Sequence, residues 1–546
     1  MLIKDLRISV NKPVTFYISR LTILVSLIFI SFFSKGQEVF YHISNITVYD
    51  FLDEMANGQL IDLNTAIKPY SRKFIASKLH ELEGKKDILN HRQLKNLDFF
   101  LKDFNKELKP DKNFKKRFDI FYYKDSLFTF SINPILGIRY WTNDNGSATH
   151  WWNGAEAFAY IGKHIGLYAS LRDNHDKEFL SDPAYLNQRP GANYKGNGDY
   201  SEMRGGITWS WKWGSLGLVR DHFMWGNNYN GANIFSVRTP SFAQIYLNMK
   251  PVKWFEFRYI HCWMISEVVD STRSYWYSNS YGTNYREVYH PRYLAANLFT
   301  FTPFQRLNLS FGNSIIYADL GVFPTYLIPL AFFKSIDHTV NHGVDNMNSQ
   351  LFFDISSRQI KHLHLYSALF LDELSTSRMF DKESHSNFWS WKIGGKLSNL
   401  PLNNFSITAE YTRTNPLTFQ HNVPTLRFES NRYNLGHYLK DNDQEIYLAL
   451  EAKPIRGLWI QLSYLSAKKG PDYDSLGGDR LGLPFLETIE WENKTFSIKV
   501  RYEIINDGFV FAKYRYSNIT GDVNKYTHPL WHGKTNTFSL GINFGF

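Results

Sequence analysis

The chain has 546 residues, Tyr, Phe and Trp make up 17% of them, and the mean hydropathy is −0.35. That length suits several soluble domains or one very large barrel; the negative hydropathy excludes a bundle of apolar helices, and the aromatic excess matches what two membrane-interface belts require. Of the formal charge of +10, residues 1–36 carry +4. The remainder is a mild excess without a basic run or binding motif, which excludes nucleic acid as a partner and weakly favours anionic glycan or lipid headgroups. Cys262 is the sole cysteine, so an intramolecular disulfide and a cysteine-based metal cluster are excluded.

In chain order, the first signal is "LTILVSLIFISFF", Leu21 to Phe33, too short for the roughly 20 residues of a spanning helix. Lys4, Arg7, Lys12 and Arg20 precede it and Ser34-Lys35-Gly36 follow, so residues 1–36 are expected to be a signal peptide. No cysteine follows at once, which speaks against a lipoprotein anchor. From Thr47 the apolar period is helical. "VYDFLDEMANGQL" aligns Val48, Phe51, Leu52 and Met55 and stops at Gly58. A second helix runs from Pro69 in a first turn to Gly84. A third aligns Leu94, Leu97, Phe100, Leu101 and Phe104 and is closed by Pro110. Residues 37–118 are thus expected to form a small helical domain, marginal if it stood alone.

From about Leu127 the period becomes two. Roughly eighteen segments of about ten residues follow, the length of a tilted membrane strand. In "TFSLGINFGF", which ends the sequence, Phe538, Leu540, Ile542, Phe544 and Phe546 alternate with Thr537, Ser539, Gly541, Asn543 and Gly545. Successive side chains of a strand face opposite ways, so one face meets something apolar and the other something polar. Short turns at Gly162-Lys163, Trp213-Gly214, Pro251, Pro303, 359–361, Pro401, 454–457 and 506–508 alternate with long loops over 173–201, 224–239, 264–291, 317–344, 374–386, 414–442, 469–493 and 519–534. That asymmetry predicts an all-β transmembrane barrel over 119–546, with short periplasmic turns and long outside loops; a soluble propeller or multi-sandwich is the alternative. An even strand count puts the helical domain in the periplasm. Phe544 and Phe546 are expected to be the signal read by the barrel assembly machinery. The outer membrane of a Gram-negative cell, with its lipid, is the expected location.

Facing the apolar parity outward puts Glu256, Arg258, Asp354, Arg358, Glu410, Glu451, Lys499, Arg501, Lys513 and Arg515 in the lumen. They are read as a network of paired charges that stiffens the barrel, or as the lining of an aqueous path, for which eighteen strands leave room. His362 and His364 lack an obvious third ligand, and "RDHF" at 220–223 lacks a nucleophile elbow. Neither a metal, a cofactor nor catalysis is expected. Three stretches expected in loops mix flat rings with Asn, Ser, Arg and Gly, as a carbohydrate surface would: "THWWNG" with Trp151, Trp152 and Asn153; "FMWGNNYNGAN" with Asn227 and Tyr229; and "SYWYSNSYGTNYREVY" with Tyr275, Trp276, Tyr277 and Arg286. Interfacial girdle aromatics are the competing reading.

The stretches "VYDFLDEMANGQLIDLNTAIKPYSRKFIASKL" and "RDHFMWGNNYNGANIFSVRTPSFAQIYLNMKPVKWFEFRYIHCW" resemble the Wzi-type capsule assembly family, in its Bacteroidetes-like branch. The segments 47–80 and 216–265 are the most specific parts of this resemblance, with Arg220 to Gly226 and Ser236 to Phe242 as matching stretches. The resemblance implies an eighteen-stranded outer-membrane barrel with a periplasmic helical domain. It also implies a lectin-like role in holding surface polysaccharide, without catalysis. Related chains in gliding bacteria also look similar to motility-associated outer-membrane proteins. A diffusion channel and an accessory of gliding or secretion are therefore the alternative functions.

Overall fold

The computed structural model describes residues 37–108, 119–340, 346–473 and 482–545; the expected signal peptide and Phe546 lie outside them. Eighteen antiparallel strands close into one barrel. They are β1 (Phe128–Asn143), β2 (Gly146–Ile161), β3 (Ile165–Asp176), β4 (Asp199–Trp211), β5 (Gly214–Asp221), β6 (Phe242–Val252), β7 (Phe255–Met264), β8 (Arg292–Phe304), β9 (Leu307–Ala318), β10 (Met347–Ser357), β11 (Leu363–Glu373), β12 (Phe388–Ser398), β13 (Phe405–Thr414), β14 (Asp443–Ala452), β15 (Leu458–Lys469), β16 (Trp491–Ile505), β17 (Gly508–Gly521) and β18 (Gly533–Phe544).

Closure is made by β18 on β1, with Leu540 opposite Tyr140 and Gly541 opposite Arg139. A short strand, Phe121–Lys124, pairs with the lower part of the same β1 edge, Phe121 opposite Ile132. The ring is therefore closed, the condition for a sheet to sit in lipid. The terminal alternation is realised as expected: Phe538, Leu540 and Ile542 are exposed outward, and Thr537 and Ser539 are buried inward. The connections alternate short and long around the ring, with one departure: β1 and β2 are joined at the long-loop end by Asp144-Asn145 alone.

Among the described residues, three α-helices precede the barrel: α1 (Ile46–Asn57), α2 (Arg72–Glu83) and α3 (His91–Leu108). Gly58 and Gly84 follow the first two as C-caps, as their sequence suggests. Pro69, expected in a first turn, lies outside α2; the helix starts after Ser71, whose hydroxyl accepts from the Phe74 N–H. Leu52, Met55, Ala56, Ile75, Ala76, Leu79, Leu82 and Leu97 are fully buried in one small core. The unit sits in the barrel mouth that carries the short turns. Asn57 donates to Ser398 (3.0 Å), Thr47 to Glu503 (3.0 Å), and Ile67-Lys68 pairs as a strand with Met224-Trp225 of the long β5–β6 connection.

The lumen is not lined uniformly by polar groups. Inward-facing Ile260, Cys262, Leu294, Ile316, Phe352 and Phe370 on β7–β11 pack against Trp225 and Phe235 of the 222–241 connection and against Phe419 and Phe428 of the 415–442 connection. These long connections fold into the barrel, so the strands beneath them are apolar on both faces. The opposite displacement occurs at 319–340, which carries α4 (Phe333–Val340) and lies against the outer face of β7–β10. There outward-facing Asn297 donates to the Pro329 and Ala331 carbonyls (3.0 and 2.9 Å), and Asn313 accepts from the Phe333 N–H (2.8 Å).

Candidate functional site

The candidate residues separate into an exposed hairpin and a buried interior. In the 265–291 connection, Tyr275–Asn279 and Gly282–Arg286 form an antiparallel hairpin whose ten residues are all exposed. Directly opposed residues share a face, so Tyr275, Tyr277, Asn284 and Arg286 lie on one side and Trp276, Ser278, Thr283 and Tyr285 on the other. Arg286 donates to the Tyr275 hydroxyl (3.1 Å), and the Trp276 and Tyr285 rings are 5.1 Å apart. Asp270 anchors the base: its carboxylate accepts from Thr272 (2.6 Å) and Arg273 (2.5 Å). Trp276 is 69% and Tyr281 94% exposed, so flat apolar rings stand in solvent beside amide, hydroxyl and guanidinium groups. Sequence reasoning named Tyr275, Trp276, Tyr277 and Arg286 but missed Tyr285 and Asn284, which cross-strand pairing brings beside them.

The other two stretches are not surface loops. Residues 149–154 belong to β2, paired on both sides with β1 and β3. Alternation sends Trp151 and Asn153 outward and Trp152 inward, where the Arg172 guanidinium lies 4.4 Å from the Trp152 ring centroid. Trp151 stacks on His175 of the outer wall (5.4 Å), a girdle position, so the two tryptophans share no surface. Asn227 and Tyr229 are carried inside by the inward connection. The Asn227 N–H donates to Asp354 (2.7 Å), and its side-chain carbonyl accepts from Thr65 of the helical unit. The Tyr229 hydroxyl donates to Asp53 (2.9 Å) and meets His364 (2.8 Å), while its N–H donates to Glu410 (2.7 Å).

Of the expected lumen charges, Arg358 pairs with Asp53 (2.7 Å), Glu451 with Lys396 (2.9 Å), Glu410 with Lys392 (3.9 Å), Glu256 with Lys250 (3.3 Å) and Arg501 with Asp50 (3.4 Å). Asp53 and Asp50 come from the helical unit, so part of the expected network joins that unit to the barrel rather than neighbouring strands. Arg258 instead stacks over Phe40 and Tyr246. Lys499, Lys513 and Arg515 have no ion-pair partner among the described residues. Sequence reasoning passed over Glu54, which joins Arg92 and Gln93 (2.9 Å) of the helical unit to Asn399 (3.2 Å) and Lys453 (3.3 Å) of two short turns. Burial alone would raise that carboxyl, but Lys453 and Arg92 together hold it down at about 2.

His364 is engaged by Tyr229, Ser356 (2.9 Å) and Arg358 (3.2 Å), and His362 lies in a turn with φ 71°. A different trio, His42, Asp221 and His222, brings three ligand atoms within 4.8 Å of one another. Arg204 and Tyr168 already occupy the Asp221 carboxylate (2.6 and 2.8 Å), and that guanidinium would repel a cation.

No protein-family model matches this chain, and no curated protein matches it. Among solved structures it is similar to Wzi of Escherichia coli, described as an outer membrane protein involved in group 1 capsule assembly and a carbohydrate binding β-barrel. Identity there is 12%, with 94% of this chain and all of that chain covered and a TM-score of 0.56. It is also similar to OprD of Pseudomonas aeruginosa, at 10% identity, 76% and 95% coverage and a TM-score of 0.41. The first likeness extends over nearly the whole of both chains, and what it establishes is the fold: a closed eighteen-stranded barrel of the outer-membrane type.

Proposed function

We propose that this protein is a non-enzymatic, lectin-like outer-membrane barrel that binds polysaccharide at the cell surface, with its helical unit closing the periplasmic mouth. The observation that carries the reading is the fully exposed hairpin of 275–286, where rings and hydrogen-bonding groups alternate on both faces. Sugars present C–H faces that stack on rings and hydroxyls that pair with amide and guanidinium groups. A cluster of solvent-exposed rings rimmed by polar groups is the kind of surface that marks an interaction site. The fold likeness to a carbohydrate binding barrel supports the same reading, with capsule retention as the role.

The test is a Trp276→Ala, Tyr285→Ala double variant in the native cell. Cell-bound polysaccharide is expected to fall and shed polysaccharide to rise, while the purified barrel keeps its heat-modifiable gel migration. Unchanged retention in the double variant would remove the reading.

A further inference from the structure

The interior wall formed by β16, β17, β18 and β1 carries five cations, of which only Arg501 has an ion-pair partner among the described residues, Asp50 of the helical unit. Lys499 and Lys513 are directly opposite each other across β16 and β17, and both face the lumen. Arg501 and Arg515 lie two residues along the same strands on the same face. Arg139 comes in from β1: it is opposite Gly541, Gly541 is opposite Phe511, and the Arg139 guanidinium stands 4.5 Å from the Phe511 ring centroid. The charged groups acting most on Lys499 are Arg501, Arg139 and Lys513, with Asp50 as the acid facing them.

Like charges directly opposed across a sheet repel, and a low-dielectric interior strengthens that repulsion. Elsewhere in this lumen the same problem is met with a carboxylate, as Lys396 meets Glu451 and Arg358 meets Asp53. Here only Arg501 meets a carboxylate, that of Asp50 (3.4 Å), and the cations lean on rings: Lys499 and Arg501 on Trp459 (5.4 and 4.7 Å) and Arg515 on Trp531 (4.8 Å). Ring faces leave donors free. Arg501 is 2% exposed, yet among the described residues its Nε and Nη1 have no hydrogen-bond partner, and the same holds for Arg139 Nε and for Nε and Nη2 of Arg515. Buried guanidinium donors are rarely left so. Lys499, Lys513, Arg515 and Arg139 also retain accessible surface inside the barrel. A cleft with about 40 Å³ of free space, lined by Asp50, Arg92, Lys453, Trp459 and Arg501, reaches this wall from the short-turn mouth.

We infer that this wall is an internal anion site that takes the carboxylates of an acidic saccharide. The oxyanions supply the missing charge to Lys499 and Lys513 and the missing acceptors to Arg139, Arg501 and Arg515. The saccharide part rests on the polysaccharide reading above; the anion part rests on the wall itself.

The full chain, purified in detergent, is titrated with trigalacturonate, neutral maltotriose and inorganic phosphate. Trigalacturonate is expected to bind, to weaken steeply with salt, and to lose at least tenfold in affinity in a Lys499→Gln, Lys513→Gln variant of native gel migration; maltotriose is expected not to compete. Unchanged affinity in that variant overturns the site, and phosphate binding as tightly as trigalacturonate overturns the saccharide class. If the double variant fails to assemble, the wild-type barrel gives a second measurement. Trigalacturonate should shield Lys499 and Lys513 from amine acylation and maltotriose should not; equal labelling overturns the site. A barrel that binds trigalacturonate in cells whose hairpin variant retains all its polysaccharide would keep this site and remove the surface reading.

Discussion

Glu54 is the residue on which the joint between helices and barrel turns. Its carboxylate is shared among Arg92 and Gln93 on one side and Asn399 and Lys453 on the other, all with little access to water. Replacing it by Gln would strand two buried cations, and removing one partner of such a group costs about 3 kcal/mol. Limited proteolysis should then cleave residues 46–108 of Glu54→Gln faster than those of the parent, with barrel migration unchanged. The folded-state value is depressed to about 2, so the stabilisation is fully present above the ordinary carboxylate range and is lost progressively as pH falls from that range through about 2. Proteolytic resistance should therefore be flat from pH 5 to 8 as far as this group is concerned. Gly541 is a second such residue: a Cβ there would lie 2.3 Å from the Phe511 ring and 2.8 Å from the Ile138 carbonyl. Gly541→Ala should destabilise the closing strand by about 1–3 kcal/mol, the usual cost of overpacking. The readout is a lower temperature of gel-shift unfolding.

Among the elements, the long connections do three different things. The 265–291 connection projects a hairpin into solvent, 222–241 folds into the lumen, and 319–340 folds back over the outer wall. The last is held by polar side chains on a parity that otherwise faces lipid: Asn313 bonds both the Phe333 N–H and Asn297, with 2.7 Å between the two amides. Ile328, Leu330 and Phe332 of the segment are exposed, as are the outward Phe311 and Phe353, directly opposed on β9 and β10. Asn313→Ala should release it. Protease cleavage within 319–340 should become markedly faster in the variant, and cleavage of the 265–291 hairpin should not change.

At the scale of the whole molecule, closure and plugging are separate achievements. Backbone pairing closes the ring, and the lumen is then crossed by Asn227, Tyr229 and Asn230 of one connection, which reach Asp354, Glu410 and Glu445 on β10, β13 and β14. The helical unit stacks beneath. In planar bilayers the intact protein is therefore expected to show no steady conductance, and replacing residues 224–237 by a short Gly-Ser linker is expected to open one. Steady conductance of the intact protein would favour the diffusion-channel alternative.

Barrel, strand periodicity and loop asymmetry were legible in the sequence because they follow from one local rule, the alternation of side chains along a strand, repeated between turn residues. The helical unit was legible for the same reason, through a period of 3.6. The hairpin with Tyr275, Trp276, Tyr277 and Arg286 was legible as a mixture of residue types, since exposure left that mixture undisturbed. Trp151 and Trp152 were not, because a polar-aromatic run reads as a loop until its pairing partners on β1 and β3 are known. Nor could Asn227 and Tyr229 be placed, since composition does not say whether a loop turns outward or inward. The positions of Lys499, Arg501, Lys513 and Arg515 followed from parity, but their partners did not. Whether a lumen charge is paired depends on which strand, loop or helix reaches it across the barrel, and that distance is set only when the ring closes.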